Sequence, residues 1–345
     1  MGNPTALYLP LLINADPAVR HQAGVLLLAT YGEHGLTYLR RLLGDPNPTI
    51  RDQARAALLS VSETSGLNIA LEPFRGIYVR CLGELQVFVH SREVVSQDWS
   101  QAEGGRAGSR KVQGIFAYLV HCGHRGVGRA GLADAVWGAP VSAASFSRTL
   151  GALRQMLTQL GSPEFAQQAL VIDRDHCALN PGVYLCDADH FERTYNLATQ
   201  REDRDGLAEA AALYHQVISL YDGPYMQDLP RASDWGDERR TLISNSFVIA
   251  AERLASYAWE QGNDRQCVIF CRRALEVDPM ADDVVAILLR AYDRLGLRVD
   301  LEGTYRRYLE RSGVDPRHEL DDTAVAAYRA ISASDSHARG RTPPR

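Results

Sequence analysis

The sequence predicts a mainly α-helical protein with a small β component, and three observations carry that expectation. Apolar residues recur at helical spacing through most of the chain, as in Val112, Ile115, Phe116, Leu119 and Val120 at i, i+3, i+4, i+7 and i+8. Two-residue alternation is confined to residues 77–95 and to a short stretch near residues 170–187. Helical patterns also repeat at fixed offsets, 31 residues apart in the first part of the chain and 34 apart, from Gly262 to Gly296, in the last.

With 345 residues, 46% of them hydrophobic and 23% charged, the chain is too long for one small core, and two or three soluble domains are expected. It holds no run of 18 apolar residues and no basic segment followed by an apolar core at its start, so neither a membrane span nor a secretory signal is expected, and a cytoplasmic location is. Six scattered cysteines without a CxxC pair argue against a structural zinc site and against a disulfide framework. Cys267 and Cys271, four apart, read as core thiols sharing one helix face.

Residues 1–61 contain the first repeat. Pro17, Val19, Arg20 and Ala23 recur as Pro48, Ile50, Arg51 and Ala54, and Leu27-Leu28 recurs as Leu58-Leu59. The prolines suit the first position of a helix, where a missing N–H costs nothing, and Asp16 and Asp45 before them are candidate caps. The DPxVRxxA pattern resembles short HEAT-type repeats. Two such units cannot bury a solenoid core alone, so they are expected to dock on the next domain or to be the remainder of a longer array. Arg20 and Arg51 are expected to pack or cap within the repeat. Residues 62–76, with Pro and Gly, read as a linker; residues 77–95, turning at Ser91-Arg92, as an antiparallel meander; residues 96–109 as a loop.

Between Arg106 and Arg154 lie Arg106, Arg110, Lys111, Arg125, Arg129, Arg148 and Arg154 against Asp134 alone, a formal +6 in a chain of net −5, which leaves −11 elsewhere. Such a local excess is the footprint of nucleic-acid binding, because phosphate neutralisation supplies most non-specific affinity. Arg106, Arg110 and Lys111 crowd the start of a helix, where its dipole disfavours cations and a phosphate would favour them. Gly126-Val127-Gly128-Arg129-Ala130-Gly131 spells GxGxxG, but a helix precedes it and no acidic residue lies between Asp134 and Glu164. The glycines therefore read as a turn between helices and no dinucleotide is expected. His121, Cys122 and His124 lack a second pair of ligands and read as an exposed helix end.

A second helix is expected over residues 129–137, closed by Gly138 and Pro140. A third, with Ser145 as candidate cap, runs to about residue 160. Phe146, Leu150, Leu153 and Leu157 should face its core and Ser147, Arg148, Gly151, Arg154 and Gln155 should face outward, a set suited to a major groove. Residues 170–173 and 177–179 form a hairpin with Arg174 at its tip between Asp173 and Asp175, followed by Asn180-Pro181 and a last strand near residues 184–187. Beyond it, helices are expected near residues 191–201 and 206–221, a long one opens at Trp235, and Gly262 and Gly296 end hairpins at the tetratricopeptide period.

Val79-Arg80-Cys81-Leu82-Gly83 through Val94, Arg110-Lys111, Leu132 to Trp137, Leu150-xx-Leu153-Arg154-xx-Leu157, Leu179-Asn180-Pro181 and Asp187-xxx-Phe191-Glu192 together resemble an OmpR-type winged helix. More closely, they resemble the version fused to a bacterial transcriptional activator domain in the Streptomyces antibiotic regulatory proteins, over roughly residues 77–330. The residue patterns give HEAT-like repeats at 1–61, a linker at 62–76 and, from the lack of apolar content, a disordered tail at 333–345; the resemblance implies a winged-helix DNA-binding domain at 77–188 and an activator domain with tetratricopeptide-like helices at 189–332. It further implies binding of double-stranded promoter DNA, contact with RNA polymerase, a nucleoid-associated cytoplasmic location, and use of the helical domain for polymerase contact, signal reception or homodimerisation. The expected DNA contacts are Arg106, Arg110, Lys111, Arg129, Ser147, Arg148, Gly151, Arg154, Gln155 and Arg174. Ser147, Gln155, Thr158 and Gln159 stand where relatives are often basic, so modest unaided affinity is expected. No phosphate loop, nucleophile elbow or metal motif is present, so neither enzymatic activity nor a cofactor is expected. A helical-repeat scaffold that binds proteins and not DNA is the alternative.

Overall fold

The computed structural model describes residues 4–100, 108–229 and 234–339. The chain divides into two compact units, residues 1–192 with 219–243 and residues 193–218 with 244–345. Helix predominates in both, and no helix among the described residues is long and apolar enough to cross a membrane.

The first unit opens with α1 (Pro4–Leu12), α2 (Pro17–Leu42) and α3 (Pro48–Ser65). The 31-residue offset is repeated in the hydrogen bonds. Asn14 accepts the Asp16 N–H and Asp16 accepts the Ala18 N–H, both at 2.9 Å; one period on, Asp45 accepts the Asn47 N–H at 2.8 Å and Asn47 accepts the Thr49 N–H at 3.0 Å. Proline at the first helical turn holds the preceding residue extended, so the second cap is Asn47 and not the expected Asp45. Arg20 Nη1 donates to the carbonyls of Asn14 and Ala15, and Arg51 Nη1 to those of Asp45 and Pro46, all within 3.0 Å. Both arginines thus serve the repeat itself. Ala23, Leu27, Ala54 and Leu58 occupy its core.

At Gly32 (φ 54°, ψ −143°) the path of α2 breaks, a conformation glycine reaches without strain. After the break Tyr38 packs edge-on against Tyr78 at 5.1 Å, and Arg41, only 6% exposed, sets its guanidinium 3.7 Å from the Phe88 ring centroid. Aromatic packing and a buried cation–π contact therefore hold the repeats to the following sheet. Helix α3 runs four residues past the expected boundary at 61, to Gly66 in the left-handed conformation (φ 68°).

That sheet contains β1 (Ile77–Arg80), β2 (Gln86–Val89), β3 (Arg92–Glu93) and β7 (Tyr184–Cys186) in the order β3-β2-β1-β7. The meander is antiparallel, with Ile77 opposite Val89 and Arg80 opposite Gln86. Its turn passes through His90 (φ 55°), one residue earlier than the spacing indicates. Strand β7 joins β1 in parallel, Ile77 beside Tyr184, and so closes around the segment between them.

Within that segment α4 (Ser109–Cys122), β4 (Val127–Gly128), α5 (Arg129–Trp137), α6 (Ala143–Leu160) and α7 (Pro163–Ala169) precede the hairpin β5 (Leu170–Ile172) and β6 (His176–Leu179). The GxGxxG stretch does more than turn. Val127-Gly128 forms a third strand against β6, giving the order β4-β6-β5. Gly126 (φ 58°) lies so close to the hairpin that a Cβ there would come within 2.4 Å of His176 Nε2 and 2.6 Å of the Cys177 carbonyl oxygen. Helix α7 was not expected; Ser162 caps it through the Phe165 N–H at 3.1 Å, with Pro163 in its first turn.

Helices α8 (Asp187–Asp205), α9 (Leu207–Leu220) and α10 (Asp237–Glu260) follow, with Gly206 (φ 92°) separating the first two. The second unit continues through α11 (Asp264–Val277), α12 (Asp282–Arg294), α13 (Arg298–Ser312) and α14 (Thr323–Arg339). Gly262 (φ 70°) and Gly296 (φ 69°), 34 residues apart, both take the left-handed conformation just beyond α10 and α12. Helix α14 continues through Arg339, so residues 333–339, expected to be disordered, are helical; alanines in the sequence there favour helix, and Val325 and Ile331 anchor the first half of α14. The rest of the expected tail, 340–345, lies outside the described residues.

Candidate nucleic-acid interface

Helix α6 is amphipathic in the sense its sequence indicates. Phe146, Thr149, Leu150, Ala152, Leu153, Met156 and Leu157 are buried, while Ser147, Arg148, Gly151 and Arg154 are exposed and Gln155 is partly so. Thr149 joins the buried face because its hydroxyl returns to the Ser145 carbonyl oxygen at 3.0 Å. Ser142, three residues before the expected Ser145, is the cap; its hydroxyl accepts the Ser145 N–H at 3.2 Å. Around Gly151 nothing lies within 4 Å of where a Cβ would stand, so this part of the helix is bare. The five outward residues fall at i, i+1, i+4, i+7 and i+8 and share one face.

Arg129, at the start of α5, is drawn to the same face. Its guanidinium lies 5.1 Å from the Phe146 ring centroid and 3.4 Å from Ser147 Oγ. Arg148 Nε donates to the carbonyl oxygen of Ala144, one turn back in its own helix, at 3.2 Å. Arg110 is exposed at the beginning of α4, and Arg174 is exposed in the turn between β5 and β6. Among the described residues, none of Arg110, Arg129, Arg148, Arg154 and Arg174 has a carboxylate within salt-bridge distance. Arg106 falls outside the described residues.

Lys111, an expected DNA contact, also has a partner within the fold. Its ammonium donates to the Val136 carbonyl oxygen at 2.7 Å and lies 5.5 Å from the Trp137 ring centroid. It therefore closes the C-terminal end of α5, where carbonyls lack helical partners and a cation is favoured. A lysine two residues into a helix gives no sequence signal of a carbonyl 25 residues away.

The histidines at the end of α4 also differ from expectation. His124 is exposed, but His121 is half-buried among aromatic rings, with centroids 5.9 Å from Tyr118, 4.8 Å from Trp235 and 6.1 Å from Tyr225. Burial, with the Arg239 and Arg125 guanidiniums nearby, pushes its pKa down to about 4. It borders a cavity of about 410 Å³ that Tyr184, Asp189, Glu192 and Arg239 also line. Arg239 donates to Asp189 at 2.6 Å and to both oxygens of Glu192 at 2.8 and 3.0 Å, fixing the start of α8 to α10.

One further grouping links distant segments. Cys81 and Cys186 approach to 3.3 Å between sulfurs, and the Asp187 carboxylate accepts the N–H groups of Cys81 and Leu82 at 2.8 and 3.3 Å. Burial raises the Asp187 pKa against the pull of those hydrogen bonds, and raises that of the Cys81 thiol strongly. The Cys81 thiol held protonated and packed on Cys186, beside a carboxylate whose oxygens already accept backbone donors, makes a packed junction between the ends of β1 and β7.

Residues 186–326 match the family model of the bacterial transcriptional activator domain. The structure of Mycobacterium tuberculosis EmbR in complex with a low-affinity phosphopeptide is similar in fold, with a TM-score of 0.57 and 20% identity over 77% of this chain and 70% of that one. A search of curated protein sequences finds no match. The matched segment begins at β7 and takes in α8 through α13 and the start of α14, the helical region whose glycine-terminated hairpins are described above. Residues 186–326 of the chain thus carry a bacterial transcriptional activator domain, the module shared with transcriptional regulators of that kind.

Proposed function

We propose that this regulator binds double-stranded promoter DNA through residues 77–188, with α4–α6 and the β5–β6 hairpin acting as a winged helix, and that residues 189–332 contact RNA polymerase or a partner. The observation that carries this reading is the outward face of α6: exposed Ser147, Arg148, Gly151 and Arg154 and half-exposed Gln155, with Arg129 folded beside them and no carboxylate to neutralise the cations among the described residues. Arginine and glutamine on such a helix can reach base edges in a major groove, and serine can reach phosphate. Arg110 and Arg174 are available for backbone contacts. The protein on this reading acts by binding and not by catalysis, in the cytoplasm and on the nucleoid.

A mobility-shift assay over fragments of the source genome tests the proposal. Retention of a subset of fragments, weakening with salt by several powers of concentration, is the expected result. Failure to retain any fragment at low salt would favour the alternative, in which the HEAT-like and tetratricopeptide-like helices form a protein-binding scaffold.

A further inference from the structure

In the second unit a cavity of about 310 Å³ opens between α11, α12 and α13. Its floor is apolar, with Val285 and Leu288 at 1% and 2% exposure. Its rim is cationic: Arg272, Arg307 and Arg311 line it, against Glu276 as the one carboxylate in the lining. Two buried hydroxyls position the rim. Arg272 Nε donates to the Tyr292 hydroxyl at 3.0 Å, and Arg307 Nη2 donates to Thr304 Oγ1 at 3.0 Å. The Tyr308 hydroxyl in the wall is already committed to Asp322.

The charge on this rim is not explained by the helices that bear it. Arg307 and Arg311 are four residues apart on α13, a like-charged spacing that disfavours a helix. Neither has a carboxylate partner among the described residues, and Arg272 has only Asp300, at 3.6 Å on an exposed side. Elsewhere in the same unit arginines do meet acids, as Arg294 meets Asp264 at 3.2 Å and Arg253 meets Glu202 at 3.4 Å. Three guanidiniums around an apolar floor therefore constitute a recognition surface. Planar forks suit a carboxylate, phosphate or sulfonate, and the floor suits an acyl chain or an aromatic ring. The volume lies at the lower end of the range for small-molecule sites.

We infer that this cavity binds a small amphipathic anion, with an acidic head held by Arg272, Arg307 and Arg311 and an apolar body on Val285 and Leu288, and so gives the regulator a ligand input. The inference does not depend on DNA binding.

Fluorescence titration of the full chain with anilinonaphthalene sulfonate, an apolar anion, tests it, with neutral phenylnaphthylamine as the control dye. One saturable sulfonate site is expected, weakened about tenfold or more by Arg307→Gln combined with Arg311→Gln as the ionic hydrogen bonds are lost, while binding of the neutral dye is unchanged. Displacement by decanoate or by phenyl phosphate then distinguishes a carboxylate head from a phosphate one. If the double variant melts early, Arg311→Gln alone carries the test, since that side chain has no partner among the described residues. Equal sulfonate affinity in the variant, equal loss for both dyes, absence of a saturable site, or displacement only by an acidic peptide would overturn the assignment.

Discussion

Two sets of arginines differ in what surrounds them. In α4–α6 and the β5–β6 turn, Arg110, Arg148, Arg154 and Arg174 are exposed and have no carboxylate partner among the described residues. From α8 onward, apart from the cavity rim at Arg307 and Arg311, the arginines Arg201, Arg239, Arg253, Arg294 and Arg298 each have one within 3.5 Å. Total charge hides this contrast, because the chain as a whole is −5. Cations paired in the folded state are largely neutralised within the fold, and cations left unpaired on one face remain available to an external polyanion.

The contrast breaks first, if it is wrong, at α6. Removing Arg148 and Arg154 together should cost about 2–6 kcal/mol of DNA affinity, at about 1–3 kcal/mol for each base-reading arginine. Folding stability should stay within about 0.5 kcal/mol, as for exposed positions generally. Binding isotherms and urea unfolding on the same double variant separate the two. A loss of stability with intact binding would assign these arginines to packing.

Arg239→Ala is the complementary change among the paired arginines. The guanidinium is 12% exposed and leaves behind Asp189 and Glu192, which at 34% and 41% exposure can partly rehydrate. A fully buried pair would lose about 3–5 kcal/mol; with that rehydration the expected loss is about 2 kcal/mol. A shift in the urea midpoint with an unchanged m-value checks it.

Lys111→Ala distinguishes the two sets within one helix. Its ammonium is bonded to the Val136 carbonyl oxygen, so the expected effect is about 1 kcal/mol of stability. The salt dependence of DNA binding should change by less than one unit of slope, where a phosphate contact would change it by about one.

How much of this was legible in the sequence follows from the range of each interaction. The 31-residue repeat, the stripe of α4 and both faces of α6 depend on neighbours within one or two turns, and the spacing of Phe146, Leu150, Leu153 and Leu157 was sufficient to orient the helix. Long-range partners were not legible. The pairing of β1 with β7, the use of Val127-Gly128 as a strand, the lysine closure of α5 and the aromatic setting of His121 each join segments 25 or more residues apart. Nothing local in either segment encodes them. At the candidate interface, residue identities and exposure were readable, whereas the Val136 carbonyl that Lys111 binds was not.

His121 provides the smallest effect and the most direct check on the buried end of α4. Its folded pKa of about 4 lies below the unfolded value of 6.5, so the unfolded chain binds more protons between these limits. The neutral ring's contribution to stability is therefore complete above pH 6.5 and is lost as pH falls toward 4. Because the ring is only partly buried, solvent screening reduces the full linkage value to about 1 kcal/mol. His121→Phe keeps an aromatic ring against Trp235 and Tyr118 and removes the titration, so it should flatten the stability profile across that window. Some slope should remain, because burial also lowers the pKa of His90 and His215. An unchanged profile in His121→Phe would place the proton uptake on those two residues and leave His121 a purely packing group.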